Sequence, residues 1–148
     1  MTDIFYPSKL LLFGEHTVLR GSQALAIPLL KFGGKWQYSD DKTKQYDLPT
    51  FANYLKKLVK TGQIALDTEG VLYALERGLF FESNIPRGYG AGSSGALVAA
   101  MYNAFGLDKN LTISELKIVL GLIESYFHGE SSGQIGRASC RERVCLAV

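Results

Sequence analysis

The chain has 148 residues, of which 47% are hydrophobic and 20% charged, with a net charge of +2. That length and apolar content suit one domain with its own core. No apolar run approaches the length of a membrane-spanning helix, and Met1-Thr2-Asp3 lacks the charged start of a secretory signal. A cytoplasmic protein with no membrane association is therefore expected, and no internal repeat or low-complexity linker divides it.

In chain order, Phe5–Phe13 reads as a strand, its apolar run ended by Gly14. Lys9 within it suits an edge position with a snorkelling stem, or a buried cation whose charge can be tuned. Glu15 and His16 follow the strand end, as a polar turn or as pocket residues. Ala24–Leu30 and Lys35–Tyr38 read as further strands, with Gly33-Gly34 as a turn or bulge between them. Asp40–Asp47 is charged and reads as an exposed loop. Thr50–Lys60 reads as an amphipathic helix with Phe51, Tyr54, Leu55 and Leu58 on one face. Gly70–Ser83 reads as a strand pair split near Glu76-Arg77-Gly78.

Gly95–Phe105 is a run of strong helix formers, with Gly106 as a C′ residue. Thr112-Ile113-Ser114-Glu115 is a capping box, and behind it Leu116, Val119, Leu120, Ile123 and Phe127 follow helical spacing. Glu124 and His128, four apart, share a face of that helix, and His128-Gly129 reads as its C-terminus. Strands first and helices after them predict an α+β fold.

The stretch with most chemical content runs from Ile85 to Met101. Glycines alternate at 88, 90 and 92, Ser93 and Ser94 follow, and an Ala-rich apolar run starts at Gly95. Glycines let a backbone approach a ligand closely. A helix starting just after them offers unpaired N–H groups and the positive end of its dipole to phosphate. A serine hydroxyl there can ligate Mg²⁺ held between phosphates. The spacing is neither the common P-loop, which needs a Lys after the glycines, nor the Rossmann fingerprint. The same residues would also serve a Gly-rich turn capping a buried helix. A Glu124–His128 metal pair on its own has no third ligand at zinc-like spacing.

Three segments stand in order: Pro7-Ser8-Lys9 through Gly14-Glu15-His16 to Gly21; Pro86-Arg87-Gly88-Tyr89-Gly90-Ala91-Gly92-Ser93-Ser94; and Glu124 with His128-Gly129-Glu130-Ser131-Ser132-Gly133. Together they resemble the GHMP small-molecule kinases, the mevalonate kinase branch above all, over nearly all of residues 5–133. Ser8 departs from the family's usual Gly. The resemblance implies a ribosomal-protein-S5-like N-terminal domain over 1–133, with the family's ferredoxin-like C-terminal domain missing. It implies ATP and Mg²⁺ as cofactors and a small hydroxylated metabolite as substrate, mevalonate in preference to a sugar, homoserine or phosphomevalonate. It leaves a homodimer open. Lys9 would lie beside the transferred phosphate, and Glu15 and His16 in the substrate pocket. Pro86, Gly88, Gly90, Ala91, Gly92, Ser93, Ser94 and Gly95 would bind ATP, and Ser94 and Glu124 would hold Mg²⁺. The family's catalytic Asp falls at position 135, which here is Ile135.

From that position the pattern breaks. Gln134–Val144 resembles the in-frame translation of a sequencing adapter, so 134–148 reads as a non-native tail on a truncated gene. The tail holds Arg137, Arg141, Arg143 and Glu142, and without them the net charge falls from +2 to 0. No basic patch then argues for nucleic acid or an anionic membrane. Cys140 and Cys145 also fall in the tail, leaving no disulfide framework or thiolate site before it. As written, the chain is expected to be inactive, and a non-catalytic nucleotide-binding fragment is the alternative from another class.

Overall fold

The computed structural model describes residues 4–13, 25–86 and 92–128, apart from the side chains of Leu11 and His128. Its elements are β1 (Tyr6–Phe13), β2 (Leu25–Tyr38), a 3₁₀ turn (Lys42–Gln45), α1 (Leu48–Lys60), α2 (Thr68–Glu76), β3 (Leu79–Ser83), α3 (Ser93–Phe105) and α4 (Ile113–His128). The strands form an antiparallel sheet in the order β1-β2-β3, so the fold is mixed α and β. Among the described residues, no helix is long and apolar enough to cross a membrane.

β2 is one continuous strand, so of the turn or bulge expected at Gly33-Gly34 the turn does not form. A Cβ on Gly33 would run into the Phe5 ring, and one on Gly34 into the Phe81 ring. The glycines therefore mark close approach of neighbouring aromatic rings to the strand. The irregularity lies just before them: Pro7 pairs with Gly33 but Ser8 with Leu29, so Leu30–Phe32 bulge out of register with β1.

The expected strand pair over Gly70–Ser83 is also corrected. Its first half is helix α2, and only β3 is strand. The Asp67 carboxylate accepts from the Gly70 N–H at 2.9 Å, a cap that starts the helix. Val71, Ala74 and Leu75 then fall on one buried stripe. Gly78, at φ +88, ends the segment where a side chain would collide with the Ser39 carbonyl.

The Asp40–Asp47 segment is not a plain exposed loop. Gln45 is buried, and its side-chain amide donates to Leu75 O at 2.6 Å and Leu79 O at 2.9 Å. This ties the 3₁₀ turn to the junction of α2 and β3.

α1 buries Phe51, Leu55 and Leu58 along the stripe expected from the sequence. The capping box of α4 forms as read: Thr112 N–H donates to Glu115 Oε2 at 2.8 Å, and Glu115 N–H to Thr112 Oγ1 at 3.3 Å. Gly106 ends α3, its N–H donating to Tyr102 O at 2.7 Å, with an extended backbone at φ −64 and ψ 131. The chain there enters a bridge with Leu66. Trp36 is fully buried between sheet and helices, and its indole N–H donates to Ala100 O of α3 at 3.2 Å. Phe81 and Phe105 pack edge-on against it, at 5.2 and 6.4 Å between ring centroids.

Candidate functional site

The site is built around the first turn of α3. Gly92 caps that helix at φ 73 and ψ 30, the left-handed region. A side chain would be strained there. A Cβ would also come within 2.8 Å of Lys9 Cγ. Gly92 therefore lets the chain turn into α3 while the Lys9 stem lies against it. The Gly92 carbonyl accepts the Ala96 N–H at 3.1 Å, the first helical bond. The N–H groups at positions 93–95, preceding that bond, are those a helix leaves without helical partners.

Ser93 is exposed and Ser94 half-buried. Ser94 Oγ donates to Glu124 Oε1 at 3.1 Å, joining residues thirty positions apart. Glu124 lies on α4 and is only 4% exposed, next to the core residue Ile123. Two features of α1 hold α4 in place around it. The Tyr54 hydroxyl donates to Leu122 O at 2.8 Å, and Phe51 packs against Tyr126 and Phe127 at 5.0 and 5.1 Å. A carboxylate buried this deeply is costly unless compensated, and here it is fixed in position at a helix N-terminus.

Lys9 is half-buried on β1, which lies at the edge of the described sheet. Pro86 is exposed beyond β3, and Gly95 is buried in the first turn of α3. Glu15, His16, Gly88, Gly90, Ala91 and Ile135 lie outside the described residues, as do the His128 side chain and Gly129.

Two cavities flank the start of α3. One, of about 420 Å³, runs along the helix between β1 and α4 and is lined by Lys9, Gly92, Gly95 and Ala96. At its far end the Tyr102 hydroxyl donates to the Asp108 carbonyl. Burial, and then the Asp108 charge, push that hydroxyl's pKa up. Lys109 Nζ there donates to Asn103 O at 3.0 Å. The other cavity, of about 390 Å³, is lined by Ser93, Ser94, Lys44, Tyr46, Phe51 and Phe81 among others.

The donor set at Ser94 and Glu124 is all oxygen, which suits a hard cation such as Mg²⁺. Among the described residues, no group of three or more His, Cys, Asp or Glu could hold a metal ion. A cation here would therefore depend on ligand oxygens as well, as Mg²⁺ does when it binds with phosphates.

Sequence reasoning missed the contribution of the 42–47 turn to this second cavity. The only local signal was Asp41 two residues before Thr43, whose N–H it accepts at 3.0 Å. The buried role of Gln45 depends on carbonyls thirty or more residues away.

A family model described as the GHMP kinases N terminal domain matches residues 53–138, more than half of the chain. The matched segment begins within α1, runs through α4 and continues to Ala138, leaving out the Pro7–Gly21 segment. No curated protein matches the chain, and no solved structure does.

Proposed function

Since the chain belongs to the GHMP kinase family, a family of ATP-using phosphotransferases, we propose that it is the nucleotide-binding domain of a kinase that phosphorylates the hydroxyl of a small metabolite. The observation that carries this reading is the Ser94–Glu124 pair at the glycine-capped start of α3. In this reading Pro86, Gly88, Gly90, Ala91, Gly92, Ser93, Ser94 and Gly95 wrap the ATP phosphates. Ser94 and Glu124 hold Mg²⁺, which supplies charge neutralisation at the β- and γ-phosphates. The Lys9 ammonium faces the γ-phosphate and offsets the charge that develops there.

The reaction transfers the γ-phosphoryl group to an alcohol: the alcohol oxygen bonds to γ-phosphorus, the bond to the bridging oxygen breaks, and ADP leaves. The alcohol proton must pass to a base. The family's Asp would take that role, and Ile135 stands in its place. The chain as written is thus proposed to bind nucleotide without turnover. Mevalonate is the preferred acceptor, on Gly14-Glu15-His16 and on the spacing of Glu124 to His128-Gly129. A sugar, homoserine or phosphomevalonate remains the runner-up. Glu15 and His16 are assigned to the acceptor pocket. The S5-like fold belongs to the same reading. Gln134–Val148 is taken as foreign sequence even though the family match runs to Ala138, and re-reading the gene with adapter trimmed tests that.

The nucleotide reading is tested by calorimetric titration with a non-hydrolysable ATP analogue, with and without Mg²⁺. Binding should need Mg²⁺ and should weaken at least tenfold in Glu124→Gln, a swap that keeps the side chain's shape. Equal affinity in the two proteins, or binding indifferent to Mg²⁺, would overturn it.

A further inference from the structure

Among the described residues, Glu124 is the one buried side chain that carries an ionisable group. The backbone beside it takes two side-chain hydroxyls. Ser125 Oγ donates to Gly121 O at 2.8 Å, within α4. The Tyr54 hydroxyl reaches across from α1 and donates to Leu122 O, also at 2.8 Å. Leu122 lies in the interior of α4, where a carbonyl already accepts a helical N–H. Its second lone pair takes the phenol. The backbone of α4 therefore does not need this bond to be satisfied. What the bond does is tie α4, two residues before Glu124, to a fixed point on α1. The half-buried Tyr54 ring packs against Tyr126 at 5.4 Å between centroids. Burial pushes its hydroxyl's pKa up, so it stays a donor through neutral pH. The 3.1 Å bond between Ser94 Oγ and Glu124 Oε1 in turn requires α3 and α4 to hold one relative height.

We propose that Tyr54 is a positioning residue for the metal site: through α4 it sets where the Glu124 carboxylate stands, and with it the preference of the site for Mg²⁺ over a larger cation. The inference rests on the reading of Ser94 and Glu124 as Mg²⁺ ligands. Mg²⁺ demands near-ideal octahedral geometry at about 2.0–2.1 Å, whereas Ca²⁺ accepts oxygens at about 2.3–2.6 Å in flexible arrangements. A carboxylate that loses its fixed place is thus costly for Mg²⁺ and cheap for Ca²⁺. Groups that orient a ligand without touching the metal are worth about tenfold or more in metal affinity.

The test uses the full 148-residue chain and a non-hydrolysable ATP analogue, titrated with Mg²⁺ and separately with Ca²⁺. Tyr54→Phe keeps the ring, removes the hydroxyl and leaves no backbone group unsatisfied, so the domain should stay folded by far-ultraviolet dichroism. The half-saturating Mg²⁺ concentration should rise about tenfold, while that for Ca²⁺ stays as in wild type. Asp67→Ala removes the cap of α2; it controls for lost stability and should match wild type with both ions. A wild-type response of Tyr54→Phe to both ions would overturn the positioning role while leaving the nucleotide reading intact. An equal rise for both ions, the same Mg²⁺-selective rise in Asp67→Ala, or loss of the fold in Tyr54→Phe would overturn it as well, because the phenol would then act on stability alone. If Mg²⁺ does not strengthen binding of the analogue to wild type, the metal site itself fails, and the positioning role with it.

Discussion

Replacing Gly92 by Ala tests whether the turn into α3 depends on a glycine. Two costs follow from its geometry. At φ 73 and ψ 30 an Ala pays for left-handed backbone, about 1–2 kcal/mol. Its Cβ would also sit 2.8 Å from Lys9 Cγ, 3.4 Å from Lys9 Cε and 3.5 Å from Lys9 N. The last two are ordinary contacts, but the first is too close. Lys9 Cγ is near the root of its side chain, so the stem must swing aside, adding roughly 0.5–1 kcal/mol on the scale of an off-rotamer side chain. The sum is about 2 kcal/mol. With a urea m-value of about 2 kcal/mol/M, the unfolding midpoint should fall by about 1 M. The same swing carries the ammonium away from the start of α3, so affinity for Mg·ATP should drop together with stability. Gly92→Asn, which tolerates left-handed backbone better, should lose less stability than Gly92→Ala. Urea titration and calorimetry of the three proteins check this. Gly92→Ala with an unchanged midpoint and unchanged affinity would refute the argument.

Two further outcomes concern stability alone. Ser8 is 1% exposed and its hydroxyl has no hydrogen-bond partner among the described residues. Ser8→Ala should therefore stabilise the domain by roughly 1 kcal/mol, read as a raised midpoint, and a lowered one would show that the hydroxyl has a use. Hydrogen bonds from the Thr112 side chain, and then its backbone, hold the Glu115 carboxyl below its ordinary value of 4.5. A carboxyl depressed on folding contributes stability that is fully present above 4.5 and is lost as pH falls through its lower folded value. Wild type should thus lose stability below that ordinary value by a component that Glu115→Gln lacks, and parallel pH profiles for the two would refute the assignment.

What the sequence made legible was mostly local. The α1 stripe and the Thr112–Glu115 box depend on residues within a turn or two of each other, and both formed as read. Errors arose where distant groups decided the outcome. Gly33-Gly34 carries the signal of a turn, yet the Phe5 and Phe81 rings from neighbouring segments are what require glycine. The Val71-Leu72-Tyr73 run has strand-like residues, but the Asp67 cap and the buried stripe made it helix. The glycines before α3 pointed to a phosphate site by local chemistry. Periodicity could not show that Ser94 meets Glu124 across thirty residues; that expectation came from the resemblance. The 42–47 turn was invisible because its anchor, Gln45, answers to carbonyls of α2 and β3.

The indole bond from Trp36 to α3 has a practical side. The chain contains one tryptophan, and it is sealed from water with its N–H on the carbonyl of Ala100. Emission from this ring is a label-free optical gauge of whether the helix that starts at Gly92 is seated on the sheet. A blue-shifted spectrum would belong to the docked helix, and a red shift would mark its release before the rest of the domain melts. Fluorescence and far-ultraviolet dichroism followed on one sample could then separate loosening at the start of α3 from global unfolding.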